Sequence, residues 1–340
     1  MGDLTLRKFM WLAIAVVVLV GLWTAGWLWA AGEATRQIRL LAEADGETAP
    51  KLTCGTFDVS GFPFRFDLEC LDATLVDQDL TASFAGLKGS VLVYAPSHLI
   101  FTAKAPFSLA DAFSGSQRRL DFGAMEGSLR LTSTDLMRGL SGEGWRIARF
   151  SLVADDLVLT DTVAGEIVEA RSKHLEAHLL DVPELHDKAA GTAALRGYLS
   201  TTALDLPGLQ VAAADTSAEV ELTAIPDDLR AFGEPDALRR WQAAGGALTL
   251  TKLAGSQPQP DERFEISGTL KLNGGGYPEG EISYTTKGVL DRFAQFLPVM
   301  QLAMLRGAPN ADGSFRNSLT ITDGQVKLLA VPFAQLLPLF

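Results

Sequence analysis

The residues whose type and spacing first suggest chemistry are four histidines, two cysteines and two adjacent aspartate pairs. His174 and His178 stand four residues apart, so they share one face of a helix or of a strand, an arrangement that can begin a metal site. His186 follows with Glu184 and Asp187 beside it, and solvated surface histidines are the alternative reading of all three. Neighbouring residues on a strand point to opposite faces. Asp155-Asp156 and Asp227-Asp228 therefore read as turn or edge charges and not as acid/base couples. The chain has no Gly-rich phosphate loop with its Lys, no Gly-x-Ser-x-Gly elbow, no His-Glu-x-x-His and no Asp series at calcium-loop spacing. No catalytic residue, metal or cofactor is assigned, and the expectation is a non-enzyme.

Cys54 and Cys70 are the only cysteines. They flank Phe62 inside Cys54-Gly-Thr-Phe-Asp-Val-Ser-Gly-Phe-Pro-Phe-Arg-Phe-Asp-Leu-Glu-Cys70, where Gly61 and Pro63 supply turn chemistry between two alternating runs. A hairpin centred there sets the cysteines opposite each other on one face, within disulfide reach; two free buried thiols are the alternative. On the alternating strand Phe62, Phe64, Phe66 and Leu68 project to one face, with Arg65 and Asp67 on the other. The aromatic row either packs as a core hairpin or lines an apolar ligand groove, whose candidate residues are Gly61, Phe62, Pro63, Phe64, Arg65 and Phe66.

The elements that must position these residues begin with an anchor. The chain has 340 residues, 47% of them hydrophobic, and a formal net charge of −12. That length suffices for one large domain or two ordinary ones. The acidic balance argues against nucleic-acid binding, which draws its affinity from Lys and Arg on phosphates. Phe9 to Ala31 carries no charge and contains Trp11, Trp23, Trp27 and Trp29. As a helix this stretch is about 35 Å long, enough to cross a hydrocarbon core of about 30 Å. Arg7 and Lys8 precede it and Glu33 is the first charge after it, so residues 1–8 stay cytoplasmic and the remainder lies outside. The stretch exceeds the usual apolar core of a cleaved signal, about 7–15 residues, which favours a retained anchor. Cleavage near Ala30 and Gly32 is the competing reading. The two cysteines then belong to an oxidising compartment.

Residues 32–50 read as a helical stalk continuing the anchor, and 51–340 as a β-rich domain with a possible division near 190–225. Period-two runs such as Ser90-Val-Leu-Val-Tyr94, Leu248-Thr-Leu-Thr251 and Phe264-Glu-Ile-Ser-Gly-Thr-Leu-Lys-Leu272 are separated by Gly, Asp, Asn or Pro. The fold class is mainly β: a transmembrane helix followed by a long, curved, largely antiparallel sheet with a few packing helices. The spacing predicts helices over Pro226–Ala244 and Val289–Arg306 and a short turn near Thr134–Leu140. Val289–Arg306 is apolar around most of its circumference and kinks at Pro298. It packs across the sheet, or else Phe293, Phe296, Leu297, Met300 and Met304 form a lid over an apolar groove or a membrane contact.

Val59-Ser-Gly-Phe-Pro-Phe-Arg-Phe-Asp67, some 30 residues after a Trp-rich N-terminal anchor, resembles the bacterial family catalogued as domain of unknown function 2125. The closing segment Leu319-Thr-Ile-Thr-Asp-Gly-Gln-Val-Lys-Leu-Leu-Ala-Val-Pro-Phe333 is similar to that family's C-terminal pattern, with Leu329-Ala330 where the family often carries a Gly after the Leu. The resemblance implies an envelope protein of the bacterial inner membrane with a periplasmic C-terminal domain, and it implies no activity. A looser similarity to AsmA-type proteins implies a curved sheet whose apolar inner surface holds or passes lipids. The expected function is non-catalytic binding of a lipid or other amphiphile in a sheet groove. The alternative is an envelope scaffold that engages another envelope protein through sheet edges or the 289–306 helix.

Overall fold

A computed structural model describes residues 3–133, 144–294, 296–307 and 309–340, with side chains from Phe9 onward. The turn expected over Thr134–Leu140 lies outside these residues. The first element is the 41-residue helix α1, Asp3–Glu43. From Phe9 it is long and apolar enough to cross a membrane, with a mean hydropathy of 2.2 in its most apolar window. The helix stops well before residue 50. The Asp45 carboxylate accepts the backbone N–H groups of Glu47 and Thr48, both at 2.9 Å, and Gly46 takes a φ of 81°. This Asx turn competes with further helix, so the expected 32–50 stalk is a helix to Glu43 followed by a turn into the first strand.

The rest is mainly β, with antiparallel pairing, and the chain divides into two compact units, 1–119 and 120–340. In the first unit β3 (Arg65–Asp77) is flanked on one edge by β1 (Lys51–Thr53) and β2 (Thr56–Ser60) and on the other by β4 (Leu80–Leu92), which pairs with β5 (Ala95–Asp111). Residues opposite one another on an antiparallel ladder share a face. Phe66, Leu68 and Cys70 therefore join Val91, Gly89 and Leu87 and then Leu99, Phe101 and Ala103 in one apolar face. Asp67 and Glu69 fall on the other face with Ser90 and Lys88. The unit boundary falls within β6 (Ser116–Asp121).

Cys54 and Cys70 are disulfide-bonded, with Cα atoms 5.4 Å apart. They are not opposite each other in the hairpin as the spacing suggests, because the register pairs Cys70 with Phe57. Cys54 lies in the break between β1 and β2, where the Gly55 N–H donates to Leu71 O at 2.8 Å and Asp72 adopts a φ of 50°. That local bend brings the sulfurs together across a three-residue offset.

The second unit is an up-and-down succession: β7 (Ala124–Ser133), β8 (Trp145–Asp161), β9 (Ile167–Asp181), β10 (Thr192–Leu206), β11 (Val211–Pro226), β12 (Ala247–Gln257), β13 (Glu262–Leu272), β14 (Pro278–Lys287), β15 (Phe315–Thr322), β16 (Gln325–Leu328) and β17 (Val331–Gln335). Each pairs with the next. The 190–225 stretch, where the sequence suggests a division, is occupied by the paired strands β10 and β11. The two predicted helices are each broken. Pro226–Ala244 becomes a 3-10 turn, Leu229–Gly233, and helix α2, Ala237–Ala243, because Gly233 and Pro235 interrupt it. Val289–Arg306 becomes a 3-10 turn, Val289–Phe293, and helix α3, Val299–Arg306, with Pro298 at the N-cap and Gly307 at the C-cap.

Candidate functional site

The aromatic motif meets the anchor helix. Residues 61–64 leave the strand as a tight turn, closed by Arg65 N–H donating to Gly61 O at 3.1 Å. Gly61 has a φ of 98°, and a Cβ there would come within 2.9 Å of Arg65 O. Phe62 and Phe64 therefore do not continue the alternating row, because that row begins only with Phe66 on β3. The turn docks on α1 instead. Trp23 Nε1 donates to Pro63 O at 2.9 Å and Trp27 Nε1 donates to Arg65 O at 3.1 Å. The Trp27 ring stacks on Phe66, with centroids 5.2 Å apart, and meets Phe62 edge-on at 5.5 Å, while Trp23 lies 6.4 Å from Phe64. Phe62 and Phe64 remain 50% and 63% exposed. On the opposite face Arg65 Nε reaches the buried Asp67 carboxylate at 2.8 Å, and Ser90 Oγ donates to the same group at 2.6 Å.

In the second unit the ladder sorts side chains into an apolar and a polar face. Leu195, Leu222, Leu248 and Leu270 form one row across four strands, and Leu199, Ala218, Leu253 and Ile266 form another. Between them run Val220, Leu250, Gly268, Ile282 and Leu319. All of these stay partly exposed to solvent. In a two-layered domain a second layer would bury such rows. On this face an apolar cavity of about 320 Å³ lies among Leu204, Val211, Leu253, Phe264, Val289 and Phe293. Its size is near the lower end for small-molecule pockets, about 300–1,000 Å³. At its edge Arg292 Nε bonds Glu262 Oε2 at 2.5 Å, both side chains being nearly buried, and Arg292 Nη1 donates to Leu209 O at 2.9 Å. The other face carries Ser200, Ser217, Glu265 and Thr285 along one row, in a trough of about 690 Å³.

The predicted histidine candidates share the polar face of β9. His174 Nδ1 lies 2.6 Å from Asp155 Oδ1 and its Nε2 lies 3.0 Å from Glu176 Oε1. His178 lies 3.6 Å from the other oxygen of Glu176 and stacks on Tyr198. The carboxylates, Asp155 foremost, hold the His174 pKa above its ordinary value. His186 does not turn to Glu184 or Asp187; its Nε2 is 3.3 Å from Asp227, and both side chains are buried. Asp227-Asp228 lie in the bend between β11 and the Leu229–Gly233 turn, as the turn reading expects, whereas Asp155-Asp156 lie within β8. Asp155 engages His174 and Asp227 engages His186, while Asp228 accepts N–H bonds from Gly144 at 2.9 Å and Arg230 at 3.0 Å. Together with the Arg230 guanidinium, which contributes most, these bonds hold the Asp228 pKa well below the carboxylate range. Among the described residues no group of three or more His, Cys, Asp or Glu is placed to hold a metal ion.

The five residues of the predicted lid are distributed among three surroundings. Phe293 lines the apolar cavity. Phe296, Val299 and Met300 face solvent, Met300 being 77% exposed. Leu297 and Met304 are half-buried, and α3 is seated by Leu302 and Leu305, by Tyr284 Oη donating to Leu305 O at 2.8 Å, and by Asn317 Nδ2 donating to Met304 O at 3.3 Å. Sequence reasoning missed Trp23 and Trp27 as partners of the motif, although their four-residue spacing puts them on one helix face. It also missed the Arg292–Glu262 pair, which no local pattern announces.

The model of a family described as an uncharacterized protein conserved in bacteria, DUF2125, matches residues 27–336. No curated protein and no solved structure matches the chain.

Proposed function

The chain belongs to the uncharacterised bacterial DUF2125 family, and from that premise we propose that it is an inner-membrane-anchored, periplasm-facing protein that holds a lipid or other amphiphile, without catalysis, on the apolar face of its second unit. The observation that carries this reading is the set of Leu, Ile and Val rows across β10–β15 that stay partly exposed, with a cavity under the Val289–Phe293 turn. Exposed apolar rows on this scale favour an apolar occupant, each buried methylene being worth about 0.8 kcal/mol. Retention of the anchor is supported by Trp23 and Trp27, whose indoles supply the hydrogen bonds of Pro63 O and Arg65 O; a cleaved chain would lose both. Arg7 and Lys8 before the apolar run and Glu33 after it favour a cytoplasmic N-terminus.

The test is mass spectrometry of organic extracts from the detergent-purified full chain. A lipid or amphiphile enriched over a control membrane protein is the expected result, and none above that control overturns the reading. The exposed Phe296, Val299 and Met300 favour a second reading, a scaffold that engages another envelope protein. In that case the extract is empty and cross-linking through position 299 captures a defined partner that Met300→Lys abolishes.

A further inference from the structure

We infer that the Gly61–Phe66 turn enters the membrane beside the anchor and seats its aromatic rings among the outer acyl chains and headgroups. The inference rests on the anchored topology proposed above. Depth follows from the helix. Trp27 and Trp23 precede Glu33, the first charge after the apolar run, by six and ten residues. Their rings therefore lie about 9 and 15 Å back from that charge along the axis. Because Trp23 bonds Pro63 and Trp27 bonds Arg65 and stacks on Phe66, the turn sits at the same depth. Its chemistry suits that place: Phe62 and Phe64 are exposed, and no charged side chain precedes Arg65 in the turn. The β4–β5 turn shares this end of the unit, since Val93 N–H donates to Phe64 O at 2.9 Å and Tyr94 is 76% exposed. Phe62, Phe64 and Tyr94 thus form an aromatic rim of the kind that settles at a bilayer interface. The opposite end of the same strands, where Leu80 pairs with Asp111, carries the exposed Phe113. It points away from the membrane.

The experiment places a thiol-reactive bimane at Phe64→Cys, Tyr94→Cys, Val17→Cys or Phe113→Cys in the full chain, the native cysteines being bonded to each other. Each labelled chain is reconstituted in phosphatidylethanolamine/phosphatidylglycerol vesicles and quenched with doxyl-labelled lipid or with aqueous iodide. The expected result is that the labels at 17, 64 and 94 lose most of their emission to doxyl lipid and little to iodide, while the label at 113 does the reverse. Iodide quenching at 64 and 94 with lipid quenching kept at 17 overturns the inference and leaves the anchor standing. Loss of lipid quenching at 17 as well overturns both. An intact Cys54–Cys70 peptide in each variant under nonreducing digestion shows that the unit has folded, so the readings at 64 and 94 apply to the native turn.

Discussion

Trp27 lies flat against Phe66, with ring planes 7° apart, and so joins a membrane-length helix to the first strand of the hairpin beyond the turn. Offset aromatic pairs contribute about 0.5–1.5 kcal/mol beyond their buried area. A double-mutant cycle of Trp27→Ala and Phe66→Ala in detergent is expected to return a coupling of that size, read from thermal unfolding. Strict additivity would show that the rings touch without contributing.

Gly61 is the second determinant of that junction. Its φ of 98° and the absence of room for a Cβ against Arg65 predict that Gly61→Ala costs about 1–3 kcal/mol. Limited proteolysis should detect faster cleavage between residues 61 and 65 in the variant than in the parent chain.

The Arg292–Glu262 pair is only 11% and 12% exposed and sits at the rim of the apolar cavity. Arg292→Met leaves a buried carboxylate without its partner, at an expected cost of about 3–5 kcal/mol. The double variant Arg292→Met with Glu262→Gln should recover much of that loss in chemical denaturation. Equal instability of single and double variants would assign the effect to packing of the arginine stem.

Phe293 lines the same cavity yet is partly solvent-facing, so Phe293→Asp should leave the fold intact while placing a charge on the cavity wall. Organic extracts of this variant are expected to hold markedly less bound amphiphile than the parent. Unchanged recovery would move the occupant elsewhere on the apolar face.

His174 lies between Asp155 and Glu176, which raise its pKa. A group whose folded pKa is raised stabilises fully below its unfolded pKa, about 6.5, and loses that contribution as pH climbs through the folded value. The melting temperature of the parent should therefore exceed that of His174→Gln at acidic pH, with the gap closing above neutrality. A pH-independent gap would mean that the imidazole packs without titrating.

The β16–β17 hairpin pairs Leu328 with Val331, and its two turn residues, Leu329 and Ala330, have φ of 49° and 68°. This is a turn that favours Gly or Asn. Ala330→Gly should raise stability by about 0.5–1 kcal/mol, measurable as a higher melting temperature.

The sequence by itself determined the helix, the β class and the opportunity for sulfur pairing, because each is written in local signals. These are an uncharged run longer than a bilayer is thick, polar and apolar residues in strict alternation, and two cysteines either side of a turn. It also carried the residues that interrupt helices, although Pro298 divides Val289–Arg306 outright where a kink was expected, and Gly233-Glu234-Pro235 divide Pro226–Ala244, which was expected as one helix. Only the tertiary structure decided which residues meet. The Cys54–Cys70 contact depends on a register that centres the hairpin between Pro63 and Phe64 and sets Cys70 opposite Phe57, which cannot be read from equal spacing around Phe62. The Phe62 and Phe64 side chains left the alternating row because Gly61 closes a turn there, and they found Trp23 and Trp27 some 40 residues away. The buried pairs His186–Asp227 and Arg292–Glu262 likewise join residues 41 and 30 apart. Periodicity reports which face a side chain takes, whereas the register across the ladder decides what it faces.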